Sequence, residues 1–150
     1  MTVLMTPDMA NFTGNVHGGT ILKFLDEVAY ACASRYAGRY VVTLSVDQVV
    51  FREPIRVGEL VTFLASVNAT GRTSMEVGIR VITENVRTRV VRHTNSRFFT
   101  MVAMDDDGKP TPVPPLTPTT PDDVRRRQQA VERRELRRQT EELHRRIHED

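Results

Sequence analysis

Between Asn11 and Glu27 the chain reads NFTGNVHGGTILKFLDE, a polar loop with a glycine pair running into an apolar helix that carries an aspartate. A Gly-Gly pair at a helix start presents backbone N–H groups at the positive end of the helix dipole, a setting that suits an oxyanion or a polarised carbonyl. An acid, Asp26, follows two turns further in. On a helical projection Lys23 and Glu27 fall together opposite the apolar stripe and form an ordinary exposed pair. Asp26 lies instead at the margin of the apolar arc, near Leu22 and Ala33, where a carboxylate is a poor helix former and costly to desolvate. Two explanations are open. Asp26 reaches a surface partner such as Arg35 or caps another segment, or it is placed there for a functional site.

The elements that must position these residues follow from periodicity. From Gly18 to Ala37, Ile21, Leu25, Val28 and Cys32 recur at helical spacing with Leu22 and Ala29 beside them, and Gly38 stands where a C-terminal glycine belongs. Four alternating or β-branched runs come next: YVVTLSVDQVVF from Tyr40, ELVTFLASVNA from Glu59, TSMEVGIRVIT from Thr73 and SRFFTMVAM from Ser96. The stretches REPIRVG, TGR and ENVRTRVVRHTN read as the connections between antiparallel neighbours. One helix and several long strands bury themselves by packing the helix along a curved sheet, an α+β arrangement.

The prolines of DDDGKPTPVPPLTPTTP, from Asp105 to Pro121, permit neither a central strand nor a helix interior, so this segment reads as an extended arm. Thr120, Pro121 and Asp123 then supply an N-cap, a first-turn proline and a carboxylate three residues after the cap. A helix is expected from Pro121 to about His148, with Glu141–Arg145 and Glu142–Arg146 at stabilising spacing. From Pro121 onward nine arginines face eight acids, so the helix reads as solvated, or docked weakly through Val124, Val131, Leu136 and Leu143. An arm built to neutralise phosphates along a nucleic acid would be one-signed.

Composition bounds the rest. A chain of 150 residues buries one sizeable core, and an excess of 21 Lys+Arg over 19 Asp+Glu with interleaved signs gives no nucleic-acid partner. The first residues have no basic flank, and no uncharged stretch spans a membrane, which points to a soluble, cytoplasmic protein. A lone cysteine, Cys32, leaves no intrachain disulfide or cysteine-based zinc site and reads as helix packing; no metal site is expected.

The order Asn11, Gly14, His17-Gly18-Gly19, Leu22 and Asp26, followed by VVTLSVDQVVFREPIRVGE, TGRTSMEV and the closing FFTMVAMDDDGKPTPVP, resembles the hotdog-fold acyl-CoA thioesterases of the YciA and brain acyl-CoA hydrolase type. The resemblance covers about Asp8 to Pro115 and implies a long central helix wrapped by a curved antiparallel sheet. It implies a thioesterase domain over 1–116, with 117–150 left as the proline-rich arm and charged helix. It also implies hydrolysis of an acyl-CoA thioester to a fatty acid and coenzyme A, which is substrate and product and not a cofactor. In the family the acid matching Asp26 activates water or attacks directly. The asparagine matching Asn11 holds the water or the thioester carbonyl from the partner subunit of a homodimer, and such dimers assemble further, for example as a trimer of dimers. Gly18 and Gly19 would be the oxyanion donors. The chemistry is self-consistent, because a thiol of pKa about 8.5 departs as thiolate without a strong general acid.

Other positions carry a functional explanation and a plainer one side by side; at the first of them, His17, family members often have an aromatic. His17 stands where an acid or a substrate contact would sit, or it packs the loop. Thr43 matches a strand position bordering the family's site, or is only a strand residue. Gly71, Arg72, Thr73 and Ser74 match the turn that meets coenzyme A, where an arginine beside exposed N–H groups suits a phosphate, or they form a plain hairpin turn. The cluster Arg87, Arg89, Arg92, His93 and Arg97 would bind a ribose phosphate or protect a sheet edge. Two rival functions remain: a hotdog dehydratase using His17 with Glu27 or Asp26, which would release an enoyl thioester, and a non-catalytic acyl-CoA sensor with the C-terminal helix as output.

Overall fold

The computed structural model describes residues 1–149, without the side chain of Asn95. Five strands form one antiparallel sheet: β1 (Thr2–Leu4), β2 (Val41–Val46), β3 (Leu60–Thr70), β4 (Ser74–Glu84) and β5 (Val91–Ala103), in the order β1-β3-β4-β5-β2. Helix α1 (Gly18–Ala37) lies along its inner face and α2 (Pro121–Glu149) on the outer face. The period-2 alternation of β3, β4 and β5 sends Phe63, Val77, Ile79, Phe99 and Met101 inward, where they bury Ile21, Leu25 and Val28 of α1. Register shifts interrupt the ladders in β2, β3 and β4, which lets the sheet curl around the helix. This is the hotdog arrangement. Gly38 closes α1 in the left-handed conformation (φ 65°), its N–H donating to the Ser34 carbonyl at 2.8 Å.

Three boundaries differ from the periodic reading. β2 stops at Val46, so Asp47–Phe51 leaves the sheet and crosses the start of α1. β5 begins at Val91, within the run read as a connection; the turn itself is only Asn85–Val90, closed by an Asn85 N–H to Val90 O bond of 3.0 Å. Charged outward residues in VVRHT hide the strand period there. β1 is three residues long, too short to show any period, yet it pairs Val3 with Val61 and seals the edge of β3.

α2 is capped as expected: the Thr120 hydroxyl accepts from the Asp123 N–H at 3.1 Å, with Pro121 at the first turn. Its docking is not as expected. Val124, Val131, Leu136 and Leu143 are all more than half exposed, and the contact runs through buried Ala130 and two arginines. Arg133 donates to the Glu76 carboxylate at 2.6 Å and lies 3.6 Å over the Phe98 ring, while Arg137 bridges Asp47 (3.0 Å) and Glu76 (3.5 Å). Glu76 is only 5% exposed and takes a third hydrogen bond from Asn68. An acid this buried needs cations brought to it, so the charge pattern of the sheet face outweighs the apolar spacing of the helix. Of the two pairs expected along α2, Glu142–Arg146 forms and Glu141–Arg145 does not.

The arm reaches α2 around the end of the sheet. Val113 is buried and its N–H donates to the Arg72 carbonyl (2.9 Å), the Leu116 N–H donates to the Thr70 hydroxyl (3.0 Å), and the Tyr36 hydroxyl donates to the Pro114 carbonyl (2.8 Å). Replacing Arg133 by alanine leaves the Glu76 carboxylate short of its strongest partner and is expected to destabilise the chain by about 1–3 kcal/mol. Arg146→Ala, which breaks an exposed pair, should change stability by less than about 0.5 kcal/mol. Denaturant unfolding of the two variants measures the contrast.

Candidate active site

The loop before α1 is organised by Asn11. Its Oδ1 accepts from the Thr13 N–H (2.9 Å), the Thr13 hydroxyl (2.7 Å) and the Asn15 N–H (3.2 Å), and Gly14 takes the left-handed φ of 80° that the turn demands. The Asn11 amide nitrogen has no hydrogen-bond partner among the described residues. Two backbone bonds fix the loop to its surroundings: Val16 N–H to Ile55 O (2.8 Å) and His17 N–H to Met9 O (2.9 Å). His17 then occupies the N-cap position of α1, exposed, with no side-chain capping bond.

Gly18 and Gly19 open the helix, and neither N–H has a partner among the described residues. Their reasons for being glycine differ. A Cβ on Gly18 would sit 3.1 Å from Cε2 of Phe51, whose ring lies across the helix start, whereas a Cβ on Gly19 would meet nothing within 4 Å. Neither has a left-handed φ. Gly19 therefore has open space around it and, among the described residues, an unpartnered N–H at the positive helix end.

Asp26 is exposed, and its partner is neither Arg35 nor a backbone N–H: the Thr43 hydroxyl donates to Oδ1 at 2.6 Å. Thr43 stands on β2, in the row Thr43–Met101–Met75 across the sheet. The residue that sequence left as a possible plain strand threonine is thus the one that orients the acid. β2 is an edge strand, and its outer positions Val42 and Leu44 are exposed, as are Tyr40 beside it and Phe12 in the Asn11 loop. These apolar side chains lie on the elements that carry Asp26's partner and Asn11.

The remaining candidates separate. Gly71–Ser74 form the β3–β4 turn, closed by a Gly71 N–H to Ser74 O bond of 2.8 Å, with no partner among the described residues for the N–H of Arg72 or Thr73. The arginine cluster does not converge. Arg92 is bound to Glu53 (2.8 Å) and Glu59 (3.1 Å), Arg97 donates to the Val50 carbonyl, and His93 takes the Arg80 guanidinium (3.1 Å), while Arg87 and Arg89 lie in the β4–β5 turn. Burial opposes the charge of Arg92, but hydrogen bonds to Glu59 and Glu53 outweigh it and raise its pKa. Cys32 is half-buried against the core, and burial pushes its thiol up, which keeps it protonated.

The sequence profile of the Thioesterase superfamily matches residues 13–90. The chain belongs to that superfamily. Protein VdlD of Helicobacter pylori strain 26695 is 52% identical over 137 residues, spanning 91% of this chain and 78% of that one. Among solved structures, an apo-hexameric acyl-CoA thioesterase superposes with a TM-score of 0.88 at 39% identity, over 93% of this chain and 90% of that one. The acyl-CoA hydrolase of Staphylococcus aureus, solved with butyryl coenzyme A and coenzyme A, superposes at 0.85 with 31% identity over 100% and 93%. Variants of that hydrolase replace an asparagine, an aspartate and a threonine by alanine, and the three lie 15 and then 17 residues apart, the intervals that separate Asn11, Asp26 and Thr43.

Because Gly19 has room for a Cβ and an ordinary φ, Gly19→Ala is expected to stabilise the fold of this thioesterase-superfamily chain by about 0.4–1 kcal/mol through the unfolded state. Gly18→Ala should lose that gain to the Phe51 contact. Thermal unfolding of both variants checks the difference.

Proposed function

We propose that the catalytic centre of this acyl-CoA thioester hydrolase is Asp26, oriented by Thr43, with the free N–H groups of Gly18 and Gly19, which lie about 10 Å from Asp26 along α1, supplied as oxyanion donors by a second chain. The observation that carries the reading is the 2.6 Å Thr43–Asp26 hydrogen bond at the margin of α1. It engages Oδ1 and leaves Oδ2 as the oxygen for chemistry. Acting as base, Asp26 takes a proton from water as the water oxygen attacks the thioester carbonyl; acting as nucleophile, Oδ2 attacks the carbonyl itself and water then hydrolyses the anhydride. Either way the carbonyl oxygen gains negative charge and the Gly18 and Gly19 N–H groups receive it. Collapse breaks the C–S bond, and coenzyme A leaves as a thiolate, since a thiol, whose pKa is about 8.5 for a cysteine side chain, is acidic enough to depart without a strong general acid. The products are a fatty acid and coenzyme A. At the Gly71–Ser74 turn, Arg72 and the free N–H groups take a phosphate of the coenzyme.

Asn11 enters from a second chain in this reading. Its unpartnered amide nitrogen and the exposed apolar surface of β2 and Phe12 support a homodimer whose larger assembly follows that of the hexameric relative. The dehydratase alternative has less support, since His17 makes no hydrogen bond with Asp26 or Glu27.

Asp26→Asn keeps shape and removes the base, so turnover should fall by a factor on the order of 10² to 10⁴ at an unchanged unfolding midpoint. A folded variant that keeps most of its activity would sink the assignment. Thr43→Val should reduce turnover less than Asp26→Asn while leaving the fold intact.

The shared site has its own test. Asn11→Ala and Asp26→Ala chains, each nearly inactive, are unfolded together and refolded as a mixture. One site of a mixed dimer receives both substitutions and the other neither, so about a quarter of all sites should be intact. If mass analysis shows mixed dimers and activity stays at the parental level, Asn11 and Asp26 do not act across an interface.

A further inference from the structure

We infer that α2 completes the coenzyme-binding surface: Arg127 and Arg134 bind phosphate of the substrate's nucleotide beside the Gly71–Ser74 turn. The inference rests on the reading of the chain as an acyl-CoA hydrolase and adds to it a helix that lies outside the profile match at 13–90. A groove of about 540 Å³ separates α2 from the outer face of the sheet, with Arg127 and Arg134 on its helix wall and Gly71 and Ser74 on its turn wall. The two arginines are seven residues apart and share one face of the helix. The Arg134 guanidinium reaches the turn itself: a Cβ at Gly71 would sit 3.4 Å from its Nη1 and 2.6 Å from the Ser74 hydroxyl oxygen.

These arginines have no other employment. Six of the nine on α2 hold ion pairs, and among the described residues Arg127, Arg134 and Arg145 do not. The groove's acids are mostly neutralised. Glu76 is held by Arg133 and Arg137, and Glu135 by Arg138, whose hydrogen bond, with that of Gln139, brings the carboxyl down to about 2. Glu141 is the one groove acid without an ion pair among the described residues. Two accessible guanidiniums therefore outnumber one free carboxylate. The buried Thr100 hydroxyl, which also lines the groove, has no hydrogen-bond partner among the described residues. Guanidinium groups in this setting suit the paired oxygens of a phosphate.

The groove is also in reach of the chemistry. Leu44 and Ser45 of β2 line it, next to Thr43, and the row Thr43–Met101–Met75 puts the turn two strand spacings, roughly 10 Å, from the Asp26 partner. A phosphate source other than the substrate, such as a free nucleotide acting as effector, would use the same chemistry and is separated by the test.

The full chain carrying Arg127→Ala with Arg134→Ala is assayed on an acyl-CoA and on the same acyl group carried by pantetheine, which lacks the nucleotide. The preference for acyl-CoA, as the ratio of the two kcat/KM values, should fall at least about tenfold and reside mainly in KM; it should shrink with salt in the unsubstituted chain, and Arg134→Lys should restore part of it. A ratio within twofold of the unsubstituted chain overturns the inference, as does an equal loss on both substrates with a lowered unfolding midpoint, which would make the arginines structural. Free 3′-phosphoadenosine diphosphate should compete with acyl-CoA; an effect on kcat without competition would assign the groove to an effector instead. If Asp26→Asn abolishes hydrolysis while the double variant keeps its preference, this inference fails alone. If the unsubstituted chain hydrolyses neither thioester, the functional reading fails first.

Discussion

The seating of α1 on the inner face of the sheet is the constraint from which the site follows. Ala29 and Ala33, one turn apart, are fully buried, and they continue the line of Leu22 and Asp26 along the helix. Small side chains on this line let the helix settle close to the strands, while Leu25 and Val28 fill the space against Phe63 and its neighbours. Asp26 thereby comes within hydrogen-bond distance of Thr43 at the sheet's edge. A larger residue at either alanine would overpack the interface and lift the helix margin that carries the acid. The Asp26–Thr43 pair is a consequence of packing density, since neither residue is held by a local turn or a cap.

The glycines of this chain do three different jobs. Gly14 supplies a left-handed backbone for the Asn11 loop, Gly18 gives way to Phe51, and Gly71 leaves space for the Ser74 hydroxyl. Gly19 fits none of these descriptions, and its only evident service is an unobstructed N–H at the helix start. In the proposed mechanism a thioester carbonyl approaches α1 from the loop side, and a glycine at this position leaves that path clear. The crossing of Phe51 over Gly18 fixes the direction of that approach by closing the neighbouring position.

Helix α1 was readable from its apolar spacing to the residue, because a long periodic segment ended by a glycine leaves little latitude. Asp26 stood out for the same reason: periodicity defines a margin, and a carboxylate on it is an anomaly. Thr43 could not be assigned in this way. A threonine in a strand is unremarked until the register is known, and the register is a tertiary quantity. The docking of α2 went the other way. Apolar spacing pointed to Val124, Val131, Leu136 and Leu143, but the outer sheet face offers Glu76 and Phe98, which select Arg133 and Arg137. The clue in the sequence was the acid inside TSMEVGIRV, at a position that alternation directs away from the core, where it is buried only if something cationic covers it. Likewise the arginines from Arg87 to Arg97 looked like one patch in sequence and scattered, because strand alternation and the loop at Glu53 and Glu59 draw them to different partners.

The two helices also divide the chain's unfinished surface. α1 and the inner face satisfy one another, and α2 covers part of the outer face through charge while leaving its own Val124, Val131, Leu136 and Leu143 in solvent; other exposed apolar groups stand around the edge strand, at Tyr40, Val42 and Leu44, and at Phe12 in the Asn11 loop. An exposed edge with apolar flanks invites pairing with another chain. The proposed mechanism needs a second copy at this same place, to bring an asparagine amide that finds no partner in its own loop. Stability and catalysis thus ask for one event. If the edge of β2 is covered by its counterpart, the loop with Phe12 loses its exposure and Asn11 gains its target together, and a chain that failed to associate would keep its fold and its Asp26–Thr43 pair while lacking half of its site.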